Sequence, residues 1–225
     1  LQLPTKAKKI TTVHDLIVYR FPQYSHPSII KTQKNKLKWL KKECDAVITD
    51  SYATKKDIVD VLNLPESKIK VVYPGIEDVF KPQTDEGMKK IKEKYNISND
   101  YILAVSTIEP RKNLQKVIRA YGKVSRSNKI ELILVGKKGW CEALVIKKGV
   151  RVLGFVNNSD LVNLYSGATC FIYPSLYEGF GIPVLEAMAC GCPVITSDKG
   201  SLREVVKDSA LLVNPEDADD ISDKL

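Results

Sequence analysis

Apolar residues fall along this chain in short runs separated by amphipathic stretches. Lys9–Val13 reads as a strand, Pro27–Glu43 as a helix and Ala46–Thr49 as the next strand. Ser51 is placed to cap a helix reaching about Leu62, and Ile69–Val72 is a short strand stopped by Pro74 and Gly75. From Tyr101 onward the alternation is more regular. Strands are predicted at Tyr101–Ser106, Ile130–Val135, Val150–Leu153, Cys170–Pro174, Pro193–Ser197 and Ala210–Val213. Helices are predicted near Asn113–Ser125, Ser159–Gly167, Pro183–Ala189, Ser201–Val206 and from Asp217 onward. Strands that are nearly continuous apolar runs, spaced by helices, belong to parallel sheets covered on both faces. The expected class is therefore α/β, with ligands at the carboxyl ends of the strands.

Between the two series, residues 79–99 are polar and lysine-rich, with Pro82, Thr84 and Gly87, and read as a linker between a domain over 1–78 and another over 100–225. The 225 residues are near the lower limit for two domains. An opening at Leu1 rather than Met, and an end at Leu225 inside a helical pattern, point to a fragment or processed product.

Charge sharpens this picture. The chain carries 35 Lys and Arg against 27 Asp and Glu, a net +8. Ten of those cations and two of the anions lie in residues 1–43, so the remainder is electrically balanced. The excess clusters around the helix Pro27–Glu43, where Lys31, Lys34, Lys38, Lys41 and Lys42 share a turn-by-turn pattern with Ile29, Ile30, Leu37 and Leu40. Such a face suits an anionic membrane surface or a lipid-linked acceptor, the alternative being a plain solvated helix. Aromatic residues interleave poorly with these lysines and no nucleic-acid motif is present, so a basic nucleic-acid-binding protein is the remote reading.

Apolar runs such as Leu132–Val135 fall far short of the roughly 20 residues a membrane span needs. Cys44, Cys141, Cys170, Cys190 and Cys192 are odd in number and sit in apolar settings, as free thiols in a reducing compartment do. Cys190-Gly-Cys192 is one residue too tight for a common zinc knuckle and has no second pair, so no metal is expected.

The richest segment runs from Tyr177 to Ile195. Gly179 and Gly181 would let backbone approach a ligand where a helix, with Pro183 at its first position and Gly191 beyond its end, exposes unpaired N–H groups. Taken singly, Glu178 suits a solvated loop and Glu186 a first-turn carboxylate. Together, beside a glycine-rich strand-to-helix turn, they point to binding of phosphate or sugar hydroxyls. In Ser106–Asn113, Arg111 and Lys112 sit at a helix entry, where cations oppose the helix dipole unless an anion binds there.

The segment Glu178–Glu186, continued through Met188–Ile195 and Ser197-Asp198, resembles the Glu-x7-Glu motif of the retaining GT-B glycosyltransferases of family 4, the glycosyl transferases group 1, in their mannosyltransferase-like form. The resemblance covers nearly the whole chain. It implies an α/β GT-B fold of two Rossmann-like domains with parallel sheets, the N-terminal one incomplete and the C-terminal one lacking its closing helix. It implies transfer of a sugar from a nucleotide diphosphate sugar to an acceptor hydroxyl with retained anomeric configuration. GDP-mannose is favoured and a UDP-sugar stands next. A GT-B nucleotide-sugar epimerase or hydrolase is the alternative.

The same resemblance assigns residues. Glu178 would contact the donor sugar, Glu186 the ribose, and Gly179, Phe180 and Gly181 the donor beside them. Arg111 and Lys112 would hold the diphosphate, although an Arg that some members carry near Thr107 or Ile108 is absent. Gly136, in Val135–Trp140, would flank the nucleotide, a tight turn explaining it nearly as well. Val156, in Gly154–Val156, would cradle the base, while Phe155 equally suits the core. His14 would support the donor sugar at the reaction centre. The partners implied are the nucleotide sugar and a glycan or lipid-linked acceptor, with no further cofactor and no metal. The setting implied is cytoplasmic, in part peripheral at the inner membrane face.

Overall fold

The computed structural model describes residues 6–124, 130–139 and 144–225, so Trp140 and Cys141 lie outside the described residues, as does the predicted helix end at Ser125. The chain divides into two units: residues to Pro74 together with Glu178–Phe180, and the rest.

In the first unit β1 (Ile10–Val13) is followed by a single helical turn, α1 (Ile17–Arg20), and by α2 (Pro27–Glu43). β2 (Ala46–Thr49), α3 (Tyr52–Leu62) and β3 (Ile69–Val71) complete it. The strands are parallel in the order β1-β2-β3, with Val13 beside Thr49. Ser51 caps α3 by accepting from the N–H of Thr54 at 3.0 Å. The core is Val13, Leu16, Leu37, Leu40, Val47, Ile58 and Ile69, with their neighbours. Two buried leucines, Leu37 and Leu40, anchor α2, leaving its lysines outward.

The second unit corrects one boundary. Residues 79–99, expected as a linker, contain α4 (Asp85–Lys94), capped by Thr84, which accepts from the N–H of Gly87 at 3.2 Å. Phe80, Ile91 and Ile97 are buried in this unit's core. The helix was hidden because it buries one narrow stripe against α6 (Asn158–Ser166) and is otherwise charged. Tyr95, just past its end, donates to Asp160 of α6 at 2.8 Å. Ser166 of α6 likewise receives the backbone N–H of Gln83 at 3.1 Å.

The remaining elements are β4 (Asp100–Val105), α5 (Leu114–Val124), β5 (Ile130–Val135) and β6 (Val150–Gly154), then β7 (Cys170–Tyr173), α7 (Ile182–Ala189) and β8 (Val194–Ser197). α8 (Gly200–Val206), β9 (Leu211–Val213) and α9 (Ala218–Lys224) close the unit. All pairings are parallel, in the order β6-β5-β4-β7-β8-β9. The strand period of two separates the faces cleanly. Tyr101, Leu103, Ile133, Val135, Phe171 and Tyr173 face α6, α7 and α8. Ile102, Ala104, Leu132, Leu134, Ile172 and Ile195 face α5 and α9. Asp217 caps α9 by accepting from the N–H groups of Asp219 and Asp220.

Burial pushes the Cys170 and Cys190 thiols up to about 11 and Cys192 to about 12, so these cysteines are inert core residues. No helix among the described residues is long and apolar enough to cross a membrane.

Phe171 is fully buried at the centre of the sheet, stacked on Tyr173 and edge-on to Tyr165. Phe171→Ala is expected to cost about 3–5 kcal/mol of unfolding free energy. Urea denaturation checks this, and a loss below about 1 kcal/mol would contradict the packing described.

Candidate functional site

The strand order of the second unit reverses direction between β4 and β7, because the chain leaves β4 toward β5 on one side and returns to β7 on the other. Connections from neighbouring strands then diverge and open a crevice at the carboxyl edge. Both candidate loops leave from this point: Ser106–Asn113 after β4 and Pro174–Gly181 after β7.

Hydrogen bonds stitch the two loops together. The Arg111 carbonyl accepts from Leu176 N–H at 2.9 Å and from Ser175 Oγ at 3.2 Å. The Arg111 guanidinium donates to the Tyr177 carbonyl at 2.5 Å and pairs with Glu109 at 2.5 Å. Asn113, in the left-handed region at φ 62°, donates to the carbonyls of Pro174 at 3.2 Å and Pro215 at 2.5 Å. Arg111, expected to hold a diphosphate, is thus engaged by protein on both sides. Its side chain is 14% exposed and engaged by protein, and it sets the path of the chain into Glu178. Lys112 donates from Nζ to the Tyr173 hydroxyl at 2.7 Å and stays half-buried, at the crevice. Tyr173 and Asn113 escaped the sequence reading because their partners lie 61 or 102 positions away.

Gly136 follows β5 at φ 145°, and a Cβ there would lie 1.8 Å from the Ser106 carbonyl oxygen. Its N–H donates to Gly154 O at 2.7 Å. The glycine is thus required by the approach of one strand end to the next. The Val156 side chain is buried in the core, while its neighbour Phe155 is 68% exposed with Lys137 Nζ 4.7 Å from its ring centre.

Helix α7 starts at Ile182 from Gly181 (φ 109°), with Pro183 in its first turn, and Gly191 beyond its end adopts φ 76°. Glu186 is partly buried and accepts from the Tyr165 hydroxyl at 3.1 Å. Burial raises its carboxyl above the ordinary carboxylate range; the Tyr165 bond opposes this and the charge of Glu77 adds to it. A partly desolvated carboxylate with one oxygen held by a tyrosine presents the other as an acceptor.

Glu178–Phe180 cluster with the first unit. The Gly179 carbonyl accepts from Ser51 Oγ at 2.7 Å and from Thr54 Oγ1 at 3.2 Å. A Cβ on Gly179 would come within 1.9 Å of the His14 carbonyl oxygen, so glycine is demanded by backbone crowding. Phe180 packs with Tyr73 at 5.6 Å between ring centres. His14 follows β1, and its Nδ1 lies 2.7 Å from Asp50 Oδ2. Among the described residues no group of three or more His, Cys, Asp or Glu is arranged to hold a metal ion.

Residues 87–225 match the family described as Glycosyl transferases group 1, and residues 1–79 match Glycosyltransferase Family 4. O-antigen chain mannosyltransferase B of Escherichia coli is 32% identical, over 98% of this chain and 61% of that protein. O-antigen chain mannosyltransferase RfbU of Salmonella typhimurium is 35% identical, over 96% of this chain and 59% of its own. This chain thus spans about three fifths of the length of these curated relatives. Anabaena HepE, solved in complex with UDP and glucose, superposes with a TM-score of 0.80 at 20% identity, covering 95% of this chain and 60% of that one. WaaG, a glycosyltransferase involved in lipopolysaccharide biosynthesis, superposes with a TM-score of 0.74 at 17% identity, covering 96% and 64%. The fold is that of the GT-B glycosyltransferases, with Rossmann-like units and parallel sheets.

Because the folded-state value of Glu186 is raised, its stabilising contribution is present below the ordinary carboxylate range and is lost as pH rises through the raised value. Glu186→Gln is expected to melt above the parent at about pH 7, with the gap closing toward about pH 4. Thermal melts across that range check it, and a gap independent of pH would refute the buried carboxylate.

Proposed function

This chain belongs to the glycosyl transferases group 1 family, and from that premise we propose that it serves to move mannose from GDP-mannose, or failing that the sugar of a UDP-sugar, onto an acceptor hydroxyl with retained anomeric configuration. The observation that carries this reading is the convergence at the β4/β7 switch point of Lys112, the glycine-led start of α7 and the half-buried Glu186. The mannosyltransferase relatives support mannose, and the HepE complex with UDP and glucose keeps a uridine donor as the next choice.

In this reading Lys112 and the N-terminal N–H groups of α7 stabilise the diphosphate as negative charge grows on it in departure. Arg111 contributes through position, by holding Tyr177 and so the start of the Glu178 loop. Glu186 accepts from a ribose hydroxyl, and Glu178 and His14 face the hexose. The cationic groups supply the electrostatic stabilisation, so no divalent metal is invoked. Departure and attack share one face, the departing diphosphate taking the acceptor's proton. Phe155 joins Val156 as a candidate base contact, its ring being exposed.

A thermal-shift panel of GDP-mannose, UDP-glucose, GDP and UDP tests this reading. At a ligand concentration about 100 times Kd the stabilisation is about 2.7 kcal/mol, a rise of about 5–10 °C for a chain of this size. The rise is expected with GDP-mannose and is expected to shrink in Lys112→Ala and Glu186→Ala. Silence toward all four ligands would count against the assignment.

The acceptor in this reading is a glycan or lipid-linked, and the protein works in the cytoplasm with α2 against the inner membrane face. Trp39 supports that placement: it is 47% exposed on α2, with Lys42 Nζ 5.6 Å from its ring centre and Lys31, Lys36 and Lys38 also outward. An exposed indole among lysines suits the boundary between acyl chains and anionic headgroups. Co-sedimentation is expected with anionic vesicles and not with neutral ones, and Trp39→Ala is expected to weaken it. Equal binding to both vesicle types would remove the membrane placement.

A further inference from the structure

Asp50 has no part in the reading above. It follows β2 directly, and β2 pairs with β1 through Thr49 and Val13, so Asp50 and His14 leave adjacent strands at the same level of the sheet. The Asp50 side chain is 16% exposed, whereas the imidazole it holds at 2.7 Å is 74% exposed. The carboxylate is thus fixed by the sheet, and the ring it grips projects outward. The neighbouring Asp15 is turned back on the chain, accepting the N–H of Ile17 at 3.0 Å. His14 also lines a cavity of about 230 Å³ with Val13, Gln33, Lys36 and Leu37.

A carboxylate only accepts, so the proton in this contact lies on Nδ1. In the neutral ring that leaves the lone pair on Nε2, which then accepts from a hydroxyl and does not donate to a phosphate. We propose that Asp50 is a positioning residue: it locks His14 in the Nδ1–H tautomer and aims Nε2 to accept from a hydroxyl of the donor hexose. This rests on the transferase reading for the hexose, while the tautomer stands on the contact alone.

The second histidine provides an internal reference. His26 caps α2 by accepting the N–H of Ser28 on Nδ1 at 3.3 Å, so its neutral ring carries the proton on Nε2. Long-range proton–nitrogen correlation spectra at alkaline pH, where imidazoles are neutral, are expected to show one ring of each tautomer. His26→Asn assigns them. Asp50→Asn can donate from its amide to Nδ1 and is expected to move His14 toward Nε2–H; Asp50→Ala removes the lock altogether. Finding His14 as Nε2–H in the parent, or as Nδ1–H unchanged in both variants, overturns the lock.

The second arm compares affinities by titration. Asp50→Asn is expected to weaken GDP-mannose, or UDP-glucose if that is the ligand bound, about tenfold, while leaving GDP or UDP unchanged. Equal weakening of sugar-bearing and bare nucleotides would mean a merely structural role and overturns the hydroxyl assignment. If the parent binds none of the four, the transferase reading fails and the hydroxyl assignment with it, whereas the spectra still decide the tautomer.

Discussion

Where β4 and β7 run side by side, their continuations must part, and the sheet can do nothing to hold the chain beyond its last paired residues. Arg111 supplies that hold. Its carbonyl and its guanidinium grip the same short turn, Ser175–Tyr177, from two directions, and Glu109 balances the charge within the partly buried contact. A guanidinium suits this because its planar fork serves a carboxylate and a carbonyl at once, and because it cannot shed its charge when desolvated. The path of the chain into Glu178, and from there into the glycine-led start of α7, follows from that grip.

The glycines take on a different meaning beside this constraint. Read along the chain, Gly136 and Gly179 are places where backbone approaches a ligand. In the folded protein each is already filled on its Cα side by another stretch of main chain, the Ser106 carbonyl in one case and the His14 carbonyl in the other. Their absent side chains permit protein to approach protein, which is the condition for the loops to lie where they do. Gly181 is the one that starts a helix, in a left-handed conformation that most residues avoid.

The alternation of strands and helices was legible because each strand of the second unit is buried on both faces and each helix has a wide apolar stripe. α4 was not, because a helix that covers the sheet's margin needs only Ile91 buried in its own span, and its lysines read as linker. The Glu-x7-Glu segment and Lys112 were legible as local patterns. Arg111 was visible as a cation, but its direction was not, since Glu109 and Tyr177 decide it and only folding brings Tyr177 near. Val156 and Phe155 illustrate the same limit at closest range: two adjacent apolar residues on an irregular strand end, whose inward and outward members no periodicity assigns. Asp50 and Tyr165 were invisible for a further reason, each being half of a pair whose other half lies 36 or 21 positions away.

Those last two pairs share a physical logic. A free carboxylate at a crevice is a diffuse acceptor, and a free imidazole exchanges its proton between two nitrogens. When Tyr165 binds one oxygen of Glu186, that donor leaves the other oxygen as the remaining acceptor. When Asp50 binds Nδ1 of His14, the exchange between tautomers is biased and one nitrogen is presented. In both, a group on a rigid element removes an ambiguity from its neighbour at the carboxyl edge of a parallel sheet. A sugar offers many hydroxyls of similar acidity and size, so discrimination among them depends on acceptors with one direction each. Placing the orienting partner on the scaffold and the oriented group at the edge produces such acceptors without demanding that the loops themselves be rigid.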